Sequence, residues 1–164
     1  MLIIDCHGHY TTAPNGHQAF RKAQLARLED PSLPLPAPAD ISDDEIRDSV
    51  EKNQLRLLKE RGADLTIFSP RASAMAHHIG DAVTAMDWAR ANNDLIKRVV
   101  DLSPMNFVGG AQLPQVAGES LDGPIEELER AVNELGFVGC NLTPDPSGGY
   151  WTSPPLTDRY WYPM

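Results

Sequence analysis

The chain has 164 residues, 41% of them hydrophobic and 23% charged, and its 23 acidic against 14 basic side chains give a net charge of −9. That length suits one domain with a real core, and the acidic balance argues against a phosphate-binding face for nucleic acid. No apolar run approaches the ~20 residues needed to span a bilayer. No basic start leads into an apolar h-region either, so the expectation is a cytoplasmic protein without a secretory signal or a membrane partner.

The first predicted element is a strand over about residues 2–7, a short apolar run that ends in His7-Gly8-His9. Residues 10–40 are polar and proline-rich, above all Asp30 to Pro38, and prolines at that density disfavour helix and strand alike. This stretch reads as a loop or lid insertion between the first strand and the first barrel helix, with a short helix around His17 to Leu28. Ser42-Asp43-Asp44-Glu45 then has capping-box spacing. Ile46, Val50, Leu57 and Leu58 follow at helical spacing, closed by Lys59, Arg61 and a C′ glycine, Gly62.

Asp64 to Ser69 is the second strand. A helix from about Ala82 to Leu102, with Val83, Met86, Leu95, Val99 and Leu102 as its apolar members, leads to a third strand at Phe107 to Gln112. The next helix starts near Asp122 with Pro124 in its first turn, buries Ile125, Leu128, Val132 and Leu135, and stops at Gly136. Phe137 to Leu142 is the fourth strand. Cys6 and Cys140 read as strand-packing thiols rather than a disulfide or nucleophiles.

Strands alternating with helices imply a parallel sheet with helical crossovers. The fold class expected is α/β, the first half (about four βα units) of a (β/α)8 TIM-type barrel. A complete barrel takes ~250 residues, so residues 1–164 read as the N-terminal part of a single barrel domain. Five of the eleven aromatic residues crowd into the last fifteen positions, where apolar surface needs further chain to pack on. A small open four-stranded α/β domain is the alternative.

In a barrel the residues after each strand ring one mouth. His7 and His9 lie on the same side of an alternating strand, a half-site for a divalent metal such as Zn2+. Asp5 shares their parity and reads as a buried hydrogen-bond partner one layer below. Arg71 is a bidentate anchor for a substrate carboxylate, or else pairs with a nearby Asp. Ser73 offers a hydroxyl to substrate or a cap to a turn, and one of His77 and His78 offers an acid–base or donor group. Asn141 offers both a donor and an acceptor at the fourth strand end. With a global field that repels anions, a small di- or tricarboxylate must be held by such local groups. Exposed strand edges make self-association an expectation as well.

Asp5-Cys6-His7-Gly8-His9-Tyr10, Phe68 to Ser73, Met75 to Gly80, Pro144 to Gly149 and Trp151 to Arg159 together resemble the amidohydrolase superfamily, in its metal-dependent decarboxylase and hydratase branch, and within it the 4-oxalomesaconate hydratases. The resemblance implies a zinc enzyme of protocatechuate or gallate meta-cleavage. Such an enzyme adds water to 4-oxalomesaconate, giving 4-carboxy-4-hydroxy-2-oxoadipate. It further implies that His7 and His9 match the family's first two metal ligands, with the third histidine, an acidic residue and the acid–base groups in the second half of the barrel. A decarboxylase of a related unsaturated acid, or a catalytically silent half-barrel, are the alternatives.

Overall fold

A computed structural model describes residues 1–71, 80–116 and 119–142. Strands β1 (Ile4–His9), β2 (Leu65–Ser69), β3 (Phe107–Gln112) and β4 (Gly139–Asn141) form a parallel sheet in the order β1-β2-β3-β4. Right-handed crossovers that always step in one direction put every connecting helix on one face of the sheet. A doubly wound open sheet instead reverses its order and covers both faces. The sequential order therefore matches the first half of a (β/α)8 barrel, with its interior on the face opposite the helices.

The helices are α1 (Asn15–Glu29), α2 (Asp43–Val50), α3 (Arg56–Arg61), α4 (Ala82–Leu102) and α5 (Asp122–Asn133). Ser42 starts α2 with the expected capping box: its hydroxyl accepts from Glu45 N–H, and Glu45 accepts from Ser42 N–H. A π-turn over Glu51–Leu55 joins α2 to α3. It accounts for the burial pattern. Ile46, Val50, Leu55 and Leu58 are buried, and the five-residue step from Val50 to Leu55 is the wide turn itself. Leu57, expected inside from uniform helical spacing, is 37% exposed in consequence. Gly62 ends α3 in the left-handed region at φ 67°, where a Cβ would be strained.

Several other expectations shift. The short helix expected at His17 to Leu28 runs the full length of α1. Its buried stripe is His17, Phe20, Arg21 and Gln24, helical in spacing but mostly polar. In α4 the core contacts come from Trp88, Ala89, Leu95, Ile96 and Val99, while Val83 is exposed. In α5 the inner line is Pro124, Glu127 and Ala131, and Val132 is exposed. The first strand runs later than expected and includes both histidines, while the fourth is shorter, at Gly139–Asn141.

One core lies between sheet and helices, with Tyr10, Phe68, Phe107 and Ala111 from the strands against Ile46, Val50, Leu95, Ile96 and Val99. Backbone and rings come very close there. A Cβ on Gly109 would stand 2.2 Å from the Phe137 ring. Pro36 and Pro38 of the proline-rich stretch, with Ile41 just after it, border a groove with His17, Phe20, Leu95 and Arg98, on the helical layer.

Behind the sheet, Glu127 is fully buried and accepts from Asn93 Nδ2 at 2.6 Å and from Arg130 Nη2 and Nε at 2.8 Å each. Those bonds to Glu127 are the main reason the Arg130 guanidinium holds its proton even more tightly than usual. Among the described residues, no helix is long and apolar enough to cross a membrane.

Candidate metal centre

Register fixes which side chains share a face. Asp5 pairs with Thr66 and Gly8 with Phe68, so β1 spends three steps where β2 spends two, and a bulge lies between Asp5 and Gly8. Thr66 and Phe68 are buried toward the helices, and Asp5 lies in register with that side. The shared parity of Asp5 with the histidines is therefore lost. Asp5 is exposed, and its Oδ1 accepts from the His7 backbone N–H at 3.1 Å, bracing the bulge. Gly8 is required by space, since a Cβ there would meet Thr66 Cγ2 at 2.2 Å.

From His7 to His9 alternation holds, and the two imidazoles converge. Their rings meet edge to face with centroids 4.5 Å apart, and Nε2 lies 2.9 Å from Nε2. Two nitrogens bound tetrahedrally to one zinc ion through bonds of ~2.0–2.1 Å stand roughly 3.3 Å apart, so a small widening of the pair brings it to chelating separation.

His9 Nδ1 lies 3.0 Å from the Pro70 carbonyl and 2.9 Å from Ser69 Oγ. A carbonyl only accepts, and the Ser69 hydroxyl donates to the Gly8 carbonyl at 3.0 Å. Nδ1 therefore carries the ring proton, and the lone pair sits on Nε2, facing His7. Fixing the far ring nitrogen in this way is how metal-ligating histidines are oriented. The residues present fit a divalent metal. Among the described residues, no third His, Cys, Asp or Glu joins the pair.

Arg71 follows Pro70 directly and is exposed, one peptide beyond the carbonyl that holds His9. Asn141 ends β4, half-buried, with its Nδ2 buried and without a partner among the described residues. Ser73 and His77, with His78, lie outside the described residues, as do the motifs from Pro144 onward. Of the two thiols, Cys140 packs against the core and burial pushes it up, away from nucleophilic use. Cys6 is exposed, contrary to a packing role.

Sequence reasoning passed over Ser69, which reaches both His9 and the β1 backbone, although its place at a strand end next to Pro70 marks it. Gln112, also at a strand end, received no role. The Asn93–Glu127 cluster was missed too, and its signal was the Asn92-Asn93 pair at helical spacing from Trp88, Ala89 and Ile96 in α4.

Comparison with known proteins is consistent with this geometry. The amidohydrolase family pattern matches residues 4–164. The chain is 60% identical over its whole length to a 2-keto-4-carboxy-3-hexenedioate hydratase from Sphingobium sp. (strain NBRC 103272 / SYK-6), covering 48% of that protein. It superposes with a TM-score of 0.88 on the crystal structure of 4-oxalomesaconate hydratase LigJ from Rhodopseudomonas palustris, at 52% identity over 99% of this chain and 47% of that one. A dihydroxybenzoic acid decarboxylase from Polaromonas sp. JS666, crystallised with bound manganese and 2-nitroresorcinol, is more distant. Its TM-score is 0.57 at 27% identity, over 85% of this chain and 38% of that one. The chain thus spans about half the length of the hydratases it matches. By its four parallel strands in sequential order, its paired strand-end imidazoles and the match over residues 4–164, the chain belongs to the amidohydrolase family.

Proposed function

We propose that the protein to which this chain belongs is a divalent-metal hydratase of the meta-cleavage route for protocatechuate or gallate. It adds water to 4-oxalomesaconate to give 4-carboxy-4-hydroxy-2-oxoadipate, and residues 1–164 form the N-terminal part of its single barrel domain. The observation that carries this reading is the extent of likeness. Similarity to a hydratase covers the whole chain at 60% identity, whereas a gamma-resorcylate decarboxylase from Polaromonas sp. aligns over 91 residues at 38%.

In this proposal His7 and His9 are two of the ligands of one divalent ion, zinc or a relative such as manganese. When bound, such an ion supplies Lewis acidity, drawing the pKa of a water toward ~7 or steadying negative charge on oxygen. The chain's own residues do the placing. Pro70 and Ser69 hold the proton of His9 on Nδ1 and so keep Nε2 free to ligate. Arg71 grips a substrate carboxylate with its planar fork. Ser73, His77 and Asn141 orient the rest of a small tricarboxylate.

The test is turnover by the full-length protein. Absorbance of the conjugated triacid is followed while carbon dioxide is measured in parallel. Loss of absorbance without carbon dioxide is the expected result. Carbon dioxide released in step with that loss would replace hydration by decarboxylation, and no consumption at all would contradict both.

A further inference from the structure

Two buried polar atoms at the strand ends have no hydrogen-bond partner among the described residues, Gln112 Oε1 on β3 and Asn141 Nδ2 on β4. The two residues are register partners, and Gln112 is only 7% exposed. Buried polar groups are rarely left unpaired, because each then forfeits its hydration for nothing, so a persistent exception calls for a reason.

Loose packing is not that reason. Gln112 N–H donates to Asn93 Oδ1 at 2.8 Å, and Asn93 Nδ2 donates to the Gln112 carbonyl at 3.0 Å. The same Asn93 amide donates to buried Glu127. The backbone of Gln112 is thus clamped from the helical layer, while its side chain leaves on the other face. Register identifies that face. His9 pairs with Ser69, and a Cβ on Gly110 would stand 3.5 Å from the Cβ of Ser69. Gln112 lies two residues beyond Gly110 and pairs with Asn141, so both amides share the side of His9. One step below Asn141 on that side is Gly139, where an added Cβ would meet nothing within 4 Å among the described residues. There is room.

We propose that Gln112 and Asn141 together bind an un-ionised oxygen that donates one hydrogen bond and accepts another, namely the hydroxyl of the hydrated product. The assignment rests on the hydratase reading above. A hydroxyl donates to Gln112 Oε1 and accepts from Asn141 Nδ2 with one atom. A carboxylate only accepts, so it would set like partial charge against Gln112 Oε1 with no cation in the pair to offset its desolvation. The substrate's carboxylates are left to Arg71, Ser73, His77 and the metal.

Equilibrium titration of the metal-loaded, full-length protein tests this with two ligands, 4-carboxy-4-hydroxy-2-oxoadipate and the same triacid lacking the hydroxyl. The wild type should favour the hydroxy acid by ~10-fold or more, as sites built around a hydroxyl do. Gln112→Leu and Asn141→Leu should each bring the ratio to within about 2-fold, with metal content unchanged. If one variant does not fold, the other decides. No preference in the wild type, a preference retained in the variants, or equal weakening of both ligands overturns the assignment. Turnover of the unsaturated acid is scored separately. Its absence sinks the hydratase reading and leaves the titration ratio to be read on its own.

Discussion

On the helix-facing side of the sheet, Phe68, Phe107 and Ala111 are almost wholly buried against α2 and α4, and the polar cluster directly behind them is matched, Glu127 with Asn93 and Arg130. Arg21 Nε and Trp88 Nε1, without a hydrogen-bond partner among the described residues, lie farther out between α1 and α4. On the opposite side, Ile4 is 48% exposed, the imidazoles of His7 and His9 point at each other, and Gln112 and Asn141 hold unmatched amide atoms. The contrast separates two kinds of constraint on the same four strands. One face is closed by its own side chains and carries stability. The other leaves polar groups unmatched by the described residues, and it is the face to which the proposed chemistry is assigned. Substitutions on the two faces should therefore fail in different ways.

The largest loss of stability is expected at Glu127. Glu127→Ala would remove the buried carboxylate that Asn93 and Arg130 share, leaving Asn93 its bonds to the Gln112 backbone and Arg130 its pair with Asp94, at a cost of about 1.5–3 kcal/mol. Chemical denaturation of the full-length protein would register it, with metal content per folded molecule unchanged. A cost below about 1 kcal/mol would mean that the cluster is solvated and the helix-facing side less closed than described.

Gly109→Ala comes next. Its Cβ would meet the Phe137 ring at 2.2 Å, and overpacking of this kind costs about 1–3 kcal/mol. A neutral result in the same assay would show that the ring moves aside freely.

A smaller effect concerns pH. His17 is buried, stacked on Trp88 and bonded to Asn92, and burial is the main cause that holds its pKa below the usual value of 6.5. The unfolded chain therefore binds the proton more readily than the folded one. Stability from this group is complete above about pH 6.5 and is lost as pH falls below it. His17→Gln should flatten that part of the stability profile. An identical slope in the variant would assign the acid sensitivity elsewhere.

Much of the fold could be read in the sequence, because local chemistry and tertiary packing agree there. The β3 limits, the Ser42 capping box and the α4 span all came from short-range signals that the fold keeps. What escaped was set by contacts between elements. The π-turn redirects Leu57 outward without any Gly or Pro to announce it. The polar stripe of α1 is buried because Trp88 offers a ring to His17 and Arg21, which apolar periodicity does not detect.

The site divides in the same way. His7 and His9 were legible because alternation holds between them. Asp5 was misplaced because a bulge, set by pairing with β2, intervenes. Ser69 and Gln112 close the second and third predicted strands, yet their roles depend on partners in β1 and α4 that no local pattern names.

Elemental analysis of purified full-length protein, beside its His7→Ala and His9→Ala variants, addresses the central claim most directly. Close to one divalent metal per wild-type chain is expected, with a large loss of it in each variant and folding retained. Undiminished metal in both variants would contradict the proposal that these two imidazoles are ligands.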